Sequence, residues 1–386
     1  MKVPHLAVIC DYREENWPSM DLVADMLLQD LRRDHTEVVN ATRLAPPMRR
    51  RLTRQGTTNG GRFKADRLLN RFWDYPRFLR NRATEFDLFH VVDHSYGQLA
   101  HEVPPERTIV TCHDLDTFRS LLDGGAERRS AFFKGMTRRI MSGLGKAARV
   151  TCDSVATRDA LLGYELVAPE RAVVVPNGVH PACSPEAEPL ADAAAARLLG
   201  PVRPDGFDIL HVGSAVPRKR LDVLLRVFAE LRKGFPGARL VRVGGAFMPQ
   251  QKELVKQLDI AEALVVLPHL DRKVLAAVYR RAAVVVQPSE REGFGLPVIE
   301  AMACGTPVVA SDLPALREVG GKAAIFCPVG DVPSWTQALT QLLTENRYPQ
   351  QRDQRTAAAR AQAAKFTWAE YANKMVSIYK ELLPLP

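Results

Sequence analysis

Apolar positions along the chain repeat in a two-beat pattern. His5 to Cys10 is a short apolar run before a polar break, and Met20 to Leu31 (MDLVADMLLQDL) spaces its apolar residues at helical intervals, predicting a strand and then a helix. The alternation continues, with strand-like runs at Leu88–Val92, Thr108–Cys112, Arg149–Cys152 and Ala172–Val175 separated by helical stretches. Nearly continuous apolar strands between amphipathic helices predict a parallel sheet covered on both faces. From Gly178 to Gly206, Pro and Ala dominate and no strand pattern shows, so this stretch is expected to connect two domains.

After Gly206 the pattern restarts. Strands are expected at Asp208–Val212, Arg239–Val243, Leu264–Leu267, Ala282–Pro288 and Pro307–Ser311. Helices are expected at Leu221–Lys233, Gln250–Leu258, Arg272–Arg280 and Val298–Ala303. Phe366 to Leu383 is a final amphipathic helix, with Thr367 as N-cap and Glu370 as its capping-box partner. The fold class is α/β, with two successive Rossmann-like, doubly wound domains over 1–180 and 181–365 and a terminal segment over 366–386. Doubly wound sheets hold ligands beyond the carboxyl ends of their strands. Two such domains facing each other would form a cleft lined by strand-to-helix loops, where function should be sought.

Composition narrows the class. At 386 residues the chain exceeds what a single core usually serves. Its 46% apolar and 25% charged content excludes disordered, collagen-like and disulfide-scaffold proteins. The opening MKVPHLAVIC is too short an apolar run for a signal peptide, and no stretch approaches the ~20 apolar residues of a membrane span. Cys10, Cys112, Cys152, Cys183, Cys304 and Cys327 form no Cys-x-x-Cys pair, so neither a zinc site nor a disulfide framework is expected, and a reducing cytoplasm fits.

Net charge is +9, and residues 48–82 carry all of it, with eleven basic residues against Asp66 and Asp74. Phe63, Leu68, Leu69, Phe72, Trp73, Tyr75, Phe78 and Leu79 interleave with these arginines. Two readings stand side by side. One is an interfacial segment on an anionic membrane, peripheral to its inner face, serving a lipid-linked acceptor, with Glu127 through Arg139 extending the patch. The other is a solvated, partly mobile loop and helix packed on the first sheet. No recognised nucleic-acid module accompanies the charge, so nucleic acid is not an expected partner.

The chemistry concentrates in a few loops. In Val284–Ala303 (VVVQPSEREGFGLPVIEAMA) a buried strand runs into Glu292-Gly293-Phe294-Gly295-Leu296, and Pro297 suits the first helical position. A glycine turn feeding a helix N-terminus favours a phosphate or a sugar oxygen. Glu292 and Glu300 bracket that turn. Carboxylates beside a phosphate site make sense if they meet hydroxyls or developing positive charge, both of which a nucleotide sugar offers. Between another strand and helix, Val212-Gly213-Ser214-Ala215-Val216-Pro217-Arg218-Lys219 places two adjacent cations that could neutralise a leaving diphosphate. His113-Asp114 and Asp93-His94-Ser95-Tyr96 each follow a strand of the first domain, on the same rim.

Taken together, EGFGLPVIEAMACGTPVVASD (292–312), VVVPNGVH (173–180), HVGSAVPRKRLDVLL (211–225) and TCHDLD (111–116) resemble the retaining family 4 glycosyltransferases of the GT-B architecture. The resemblance implies that Glu300 binds the nucleotide ribose and that Glu292 faces the donor sugar. Gly293, Phe294, Gly295 and Leu296 would offer backbone N–H groups, and Gly213 and Ser214 would line the diphosphate held by Lys219 and Arg218. His113 would reach toward the donor sugar, and His269 and Leu270 would lie near the base. Two departures stand out. Ser214 occupies a position where many relatives carry arginine, and the loop Asp11–Met20 lacks the glycines that relatives place after the opening strand.

The activity implied is transfer of a hexose from a nucleoside-diphosphate sugar to an acceptor hydroxyl, in lipid-linked or surface glycan assembly, with no cofactor and no divalent metal. The form VGSAVPRKR resembles mannosyltransferases, which places GDP-mannose ahead of a UDP-sugar. A GT-B enzyme releasing a soluble disaccharide or sugar phosphate, and a non-catalytic nucleotide-sugar binder, remain as alternatives.

Overall fold

The computed structural model describes residues 3–57, 60–123, 128–201, 203, 206–346 and 348–383. The chain divides into two compact units, Met1–Gly178 with Trp368–Pro386, and Val179–Thr367.

The first unit is built on six parallel strands: β1 (His5–Ile9), β2 (Asn40–Leu44), β3 (Leu88–Val91), β4 (Thr108–Cys112), β5 (Arg149–Cys152) and β6 (Ala172–Val174). Their order across the sheet is β2-β1-β3-β4-β5-β6. Every residue of β3 and β4 is buried, which is why these strands read as unbroken apolar runs rather than alternating ones. The terminal helix Trp368–Leu382 belongs to this unit and packs against the helix Pro18–Asp34. Tyr379 from that helix hydrogen bonds His90 of β3 at 2.8 Å, and Arg149 pairs with Glu381 at 3.2 Å.

The second unit has β7 (Phe207–Val212), β8 (Ala238–Val243), β9 (Leu264–Leu267), β10 (Val284–Gln287), β11 (Val308–Ser311) and β12 (Ile325–Cys327), all parallel, in the order β12-β11-β10-β7-β8-β9. Leu210, Val241 and Val285 enter the core cluster on one face, and Ile209, Leu240, Val284 and Val286 enter the cluster on the other. This two-sided burial is the period-two alternation of a sheet covered by helices on both sides. Strand order reverses between β7 and β10, so the helices that follow these two strands pack on opposite faces of the sheet, and the carboxyl ends of the two strands mark the position where such sheets hold ligands.

Two expectations change. The stretch 178–206 is not mere connection: the described part holds the helix Pro189–Leu199, packed within the second unit. Its buried stripe is Ala191, Ala195 and Leu199, too small in side-chain volume to stand out as a hydrophobic face, and Arg280 anchors it to Asp192 at 2.5 Å. The basic segment is ordered where described. A helix Gly61–Leu69, a π-helical turn Asn70–Asp74 and a helix Tyr75–Arg82 run in sequence. Phe63, Tyr75 and Leu79 are buried in the first unit's core, with Phe72 and Phe78 packed against it. Asp66 accepts from the backbone N–H groups of Arg51 and Leu52 at 3.1 and 3.0 Å, and Asp74 pairs with Arg51 at 2.7 Å. The two acids therefore pin the arginine-rich stretch in place. Trp73, at 66% exposed, is the aromatic that still faces water, with Leu69 and Leu52 half exposed. Phe132 of the helix Ala131–Lys146 is exposed too, while Glu127 lies outside the described residues. No described helix is long and apolar enough to cross a membrane.

Candidate active site

The loops after β7 and β10 meet at the strand-order reversal of the second unit, and they are stitched together by backbone. Glu290 N–H donates to the Arg218 carbonyl at 2.8 Å, and Arg218 Nη1 donates to the Arg291 carbonyl at 3.1 Å. That stitching brings together residues more than seventy positions apart. Lys219 Nζ lies 2.5 Å from Glu292 Oε1, and Arg218 Nη1 lies 3.4 Å from Glu292 Oε2. Ser289 Oγ and Gln287 Nε2 each donate to Glu292 Oε1 at 2.7 Å.

Burial alone would push the Glu292 carboxyl upward, but Lys219 and Arg218 outweigh it and hold the group at about 2. Glu292 is thus a fixed anion at neutral pH and no proton donor. Lys219 is itself 9% exposed, so its charge acts in a medium where electrostatic interactions are stronger than in water.

The turn that follows is built for close approach. Gly295 has φ +103°, the left-handed region, and a Cβ there would meet Leu316 Cδ2 at 2.5 Å. It caps the helix Leu296–Ala303, and Pro297 sits at the second rather than the first helical position, with Leu296 opening the helix. The first N–H groups of a helix lack carbonyl partners within it, which gives this end its affinity for anions. Phe294 is buried and packs edge-on against Phe366 with ring centroids 5.7 Å apart, anchoring the turn. Gly293 is buried as well.

Glu300 sits on that helix, 2% exposed. Arg272 Nη1 pairs with its Oε1 at 3.1 Å and Tyr279 OH donates to its Oε2 at 2.9 Å. Burial raises its carboxyl above the ordinary range, with Arg272 and Tyr279 pulling the other way. Arg272 and Tyr279 were not singled out from sequence. Their spacing of seven on one helix, a cation two turns before a tyrosine, is the available signal.

Gly213 and Ser214 open the β7 loop, with Gly213 N–H donating to the Val243 carbonyl at 2.9 Å. His269 is exposed and Leu270 packs on the second unit's core, both just ahead of the helix Arg272–Arg281 capped by Asp271.

In the first unit, His113 follows β4 and is 6% exposed. Its Nδ1 lies 2.7 Å from Asp153 Oδ2 and its Nε2 lies 2.7 Å from the Val92 carbonyl, so both ring nitrogens are engaged within the unit. Burial disfavours its charge, yet Asp153 and Asp93 dominate and raise it to about 9. The ring is an imidazolium holding the rim. Direct reach to a sugar would require exchanging the Val92 bond. His94 accepts from His113 N–H at 3.2 Å, which ties the two polar loops together. Asp11 and Asp93, after β1 and β3, sit where strand order reverses in this sheet, and both are buried. The Asp11 carboxyl is raised well above the ordinary range by burial and by the neighbouring Asp93.

Among the described residues, no group of three or more His, Cys, Asp or Glu side chains could hold a metal ion. All six cysteines are buried and unpaired.

Comparisons with known proteins fall on both units. The family model described as Glycosyltransferase Family 4 matches residues 22–183, and that described as Glycosyl transferases group 1 matches residues 200–362. A D-inositol 3-phosphate glycosyltransferase from Kineococcus radiotolerans is 34% identical over 254 residues, 61% of this chain and 57% of that protein. The chain spans about half to three-fifths of the length of the curated relatives it matches. Among solved structures, sucrose-phosphate synthase from Thermosynechococcus elongatus superimposes with a TM-score of 0.76 at 20% identity, covering 98% of this chain and 99% of that one. Anabaena HepE in complex with UDP and glucose gives a TM-score of 0.73 at 16% identity, covering 98% and 100%.

Proposed function

The chain belongs to the family 4 glycosyltransferases of the GT-B architecture, and from that premise we propose that it transfers a hexose from a nucleoside-diphosphate sugar to an acceptor hydroxyl with retention at the anomeric carbon. The observation that carries the proposal is the meeting of Lys219, Arg218 and Glu292 at the strand-order reversal of the second unit, beside a helix N-terminus. Two cations and that helix end supply the positive charge that a departing diphosphate needs, in a site where its stabilisation is large. The same cations take the role a divalent metal would otherwise fill, and chelation is expected to leave turnover unchanged.

Glu300 would accept from the ribose diol once Arg272 yields one of its oxygens. Glu292, ionised throughout, would accept from a sugar hydroxyl and stabilise the oxocarbenium-like centre as the bond to phosphate opens. The acceptor oxygen bonds to the anomeric carbon on the face the diphosphate leaves. The bond from that carbon to the phosphate oxygen breaks, and the departing phosphate takes the acceptor proton. Glu292 is engaged by four donors and serves as an orienter, so no protein nucleophile is invoked.

For the acceptor, the curated relatives named for D-inositol 3-phosphate favour a small phosphorylated polyol and a soluble product. A lipid-linked acceptor is the second reading. It rests on exposed Trp73 and on Arg49 and Arg80, at 72% and 62% side-chain exposure. GDP-mannose and UDP-hexoses are the donors to compare. Incubating the chain with each donor and an inositol phosphate, and separately with anionic vesicles, decides between the readings. Transfer in vesicle-free solution with no salt-sensitive co-sedimentation supports the soluble product, and donor-dependent activity that requires vesicles replaces it with the lipid-linked one. Absence of donor binding altogether would refute the transferase proposal.

A further inference from the structure

Among the described residues of the second unit, one buried cation has no counter-ion. Arg242, near the carboxyl end of β8, is 0% exposed. Its Nη2 donates to the Gly213 carbonyl at 3.2 Å, while Nε and Nη1 are buried without a hydrogen-bond partner. The guanidinium lies 5.1 Å from the centroid of the Phe247 ring, and among the described residues no carboxylate pairs with it. Beside it in the sheet register is His211, also fully buried, with both ring nitrogens unpartnered. Burial, with Arg242 and Lys219 nearby, holds that imidazole neutral, at about 3. Glu292 already serves Lys219 and Arg218, so it is not left to balance Arg242.

Such an arrangement is costly in the free protein. An isolated buried charge is among the most destabilising features a core can hold, and an arginine does not escape by losing its proton. Burial lowers the Arg242 group only to about 10, which leaves it a cation at neutral pH. The turns that end β7 and β8 touch beside it. Gly244, at φ +128°, comes so near Gly213 that a Cβ there would lie 2.1 Å from the Gly213 carbonyl oxygen. Arg242 is thus bonded to the start of the Gly213–Lys219 loop with no side chain between them. No carboxylate among the described residues supplies the missing negative charge, and the anion expected at that loop is a diphosphate.

We propose that Arg242 is a positioning cation for the donor diphosphate: it fixes the Gly213 turn and its unbalanced charge, acting through one layer of backbone, is answered when the phosphates bind. The inference rests on the phosphate-site reading above. It makes Arg242 a third positive charge on that site, contributed by the neighbouring strand, where Ser214 in the loop supplies none.

The test compares Arg242→Met, which keeps volume and removes charge, with Lys219→Ala. The measurements are melting temperature without ligand and affinity for pyrophosphate, for the nucleoside diphosphate that wild type binds best, and for its nucleoside. Arg242→Met is expected to melt no lower than wild type and to lose about 10- to 100-fold in affinity for pyrophosphate and the diphosphate. Its affinity for the nucleoside is expected to be unchanged, and Arg242→Lys should keep most of the diphosphate affinity. Undiminished diphosphate binding by Arg242→Met would overturn the proposal, as would equal loss for nucleoside and diphosphate, which marks a merely structural role. Should Arg242→Met not fold, Arg242→Gln replaces it, and failure of both to fold would overturn the proposal as well. If Lys219→Ala binds pyrophosphate like wild type, the phosphate-site reading fails. If it loses binding while Arg242→Met does not, only the Arg242 inference fails.

Discussion

Lys219 and Glu292 form a buried pair whose structural and catalytic contributions can be pulled apart. Lys219 Nζ is 2.5 Å from Glu292 Oε1, with side chains 11% and 6% exposed. Replacing Lys219 with Met removes the nearest cation, and stranding a buried charge in this way typically costs about 3–5 kcal/mol. Glu292 would retain Arg218 at 3.4 Å and the donors Ser289 and Gln287 at 2.7 Å, so the expected loss of stability is smaller, about 1–3 kcal/mol. Glu292→Gln together with Lys219→Met removes both charges and should restore stability to within about 1 kcal/mol of wild type. Turnover should not follow. Loss of a cation aimed at the leaving group is expected to lower kcat/KM by about 100- to 1000-fold in the single Lys219 variant, and the double variant should stay at or below that level. Denaturant unfolding and donor-dependent transfer, measured on wild type and these two variants, give the two readouts. Acid titration adds a third. The depressed Glu292 group contributes stability that is full above the ordinary carboxylate value near 4.5 and is lost as pH falls toward about 2, so this acid-dependent loss should be smaller in Lys219→Met. A double variant that recovers turnover along with stability would refute the reasoning, because the pair would then be structural only.

Two further perturbations probe neighbouring groups. Glu300→Gln keeps a partner for Tyr279 but gives up the charged acceptor for ribose, so donor KM should rise about 10- to 100-fold with kcat changed only a few-fold; a fall in kcat at constant KM would place Glu300 at the reacting centre instead. His113, raised to about 9, binds its proton more tightly in the folded state, so its contribution is full below the ordinary histidine value near 6.5 and is lost as pH rises through about 9. Its upper size is about 3 kcal/mol, and unfolding of His113→Gln between pH 6.5 and 9 should lose the decline seen in wild type. An unchanged decline in that variant would assign it to another group.

Much of this molecule was legible because burial on both faces leaves a plain trace. β4, β5 and β9 follow the apolar runs residue for residue, and the end strand β2 (NATRL) escaped because it carries polar residues among its few apolar ones. The Glu292 turn was readable for a local reason: glycine, proline and two acids lie within a few positions of one another. What joins it to Lys219 was not, since those residues lie far apart in sequence and meet through the Lys219–Glu292 ion pair and the bond from Glu290 N–H to the Arg218 carbonyl. The same holds for Arg242 and His211, whose strands pair side by side. Each sits between apolar neighbours, VRV and LHV, and a polar residue at an inward strand position was the hint available. In the basic segment, sequence gave arginines and aromatics in alternation but not the direction each faces. Asp66 and Asp74 decide that by pinning the loop, which turns Tyr75 inward and leaves Trp73 outside.

The most direct check is diffraction from crystals grown with whichever nucleoside diphosphate raises the melting temperature furthest. The expected result is phosphate oxygens within hydrogen-bonding range of Lys219 and Arg218 at the start of the helix Leu296–Ala303, and ribose hydroxyls on Glu300. A nucleotide ordered with its phosphates away from both cations, or its ribose away from Glu300, would contradict it.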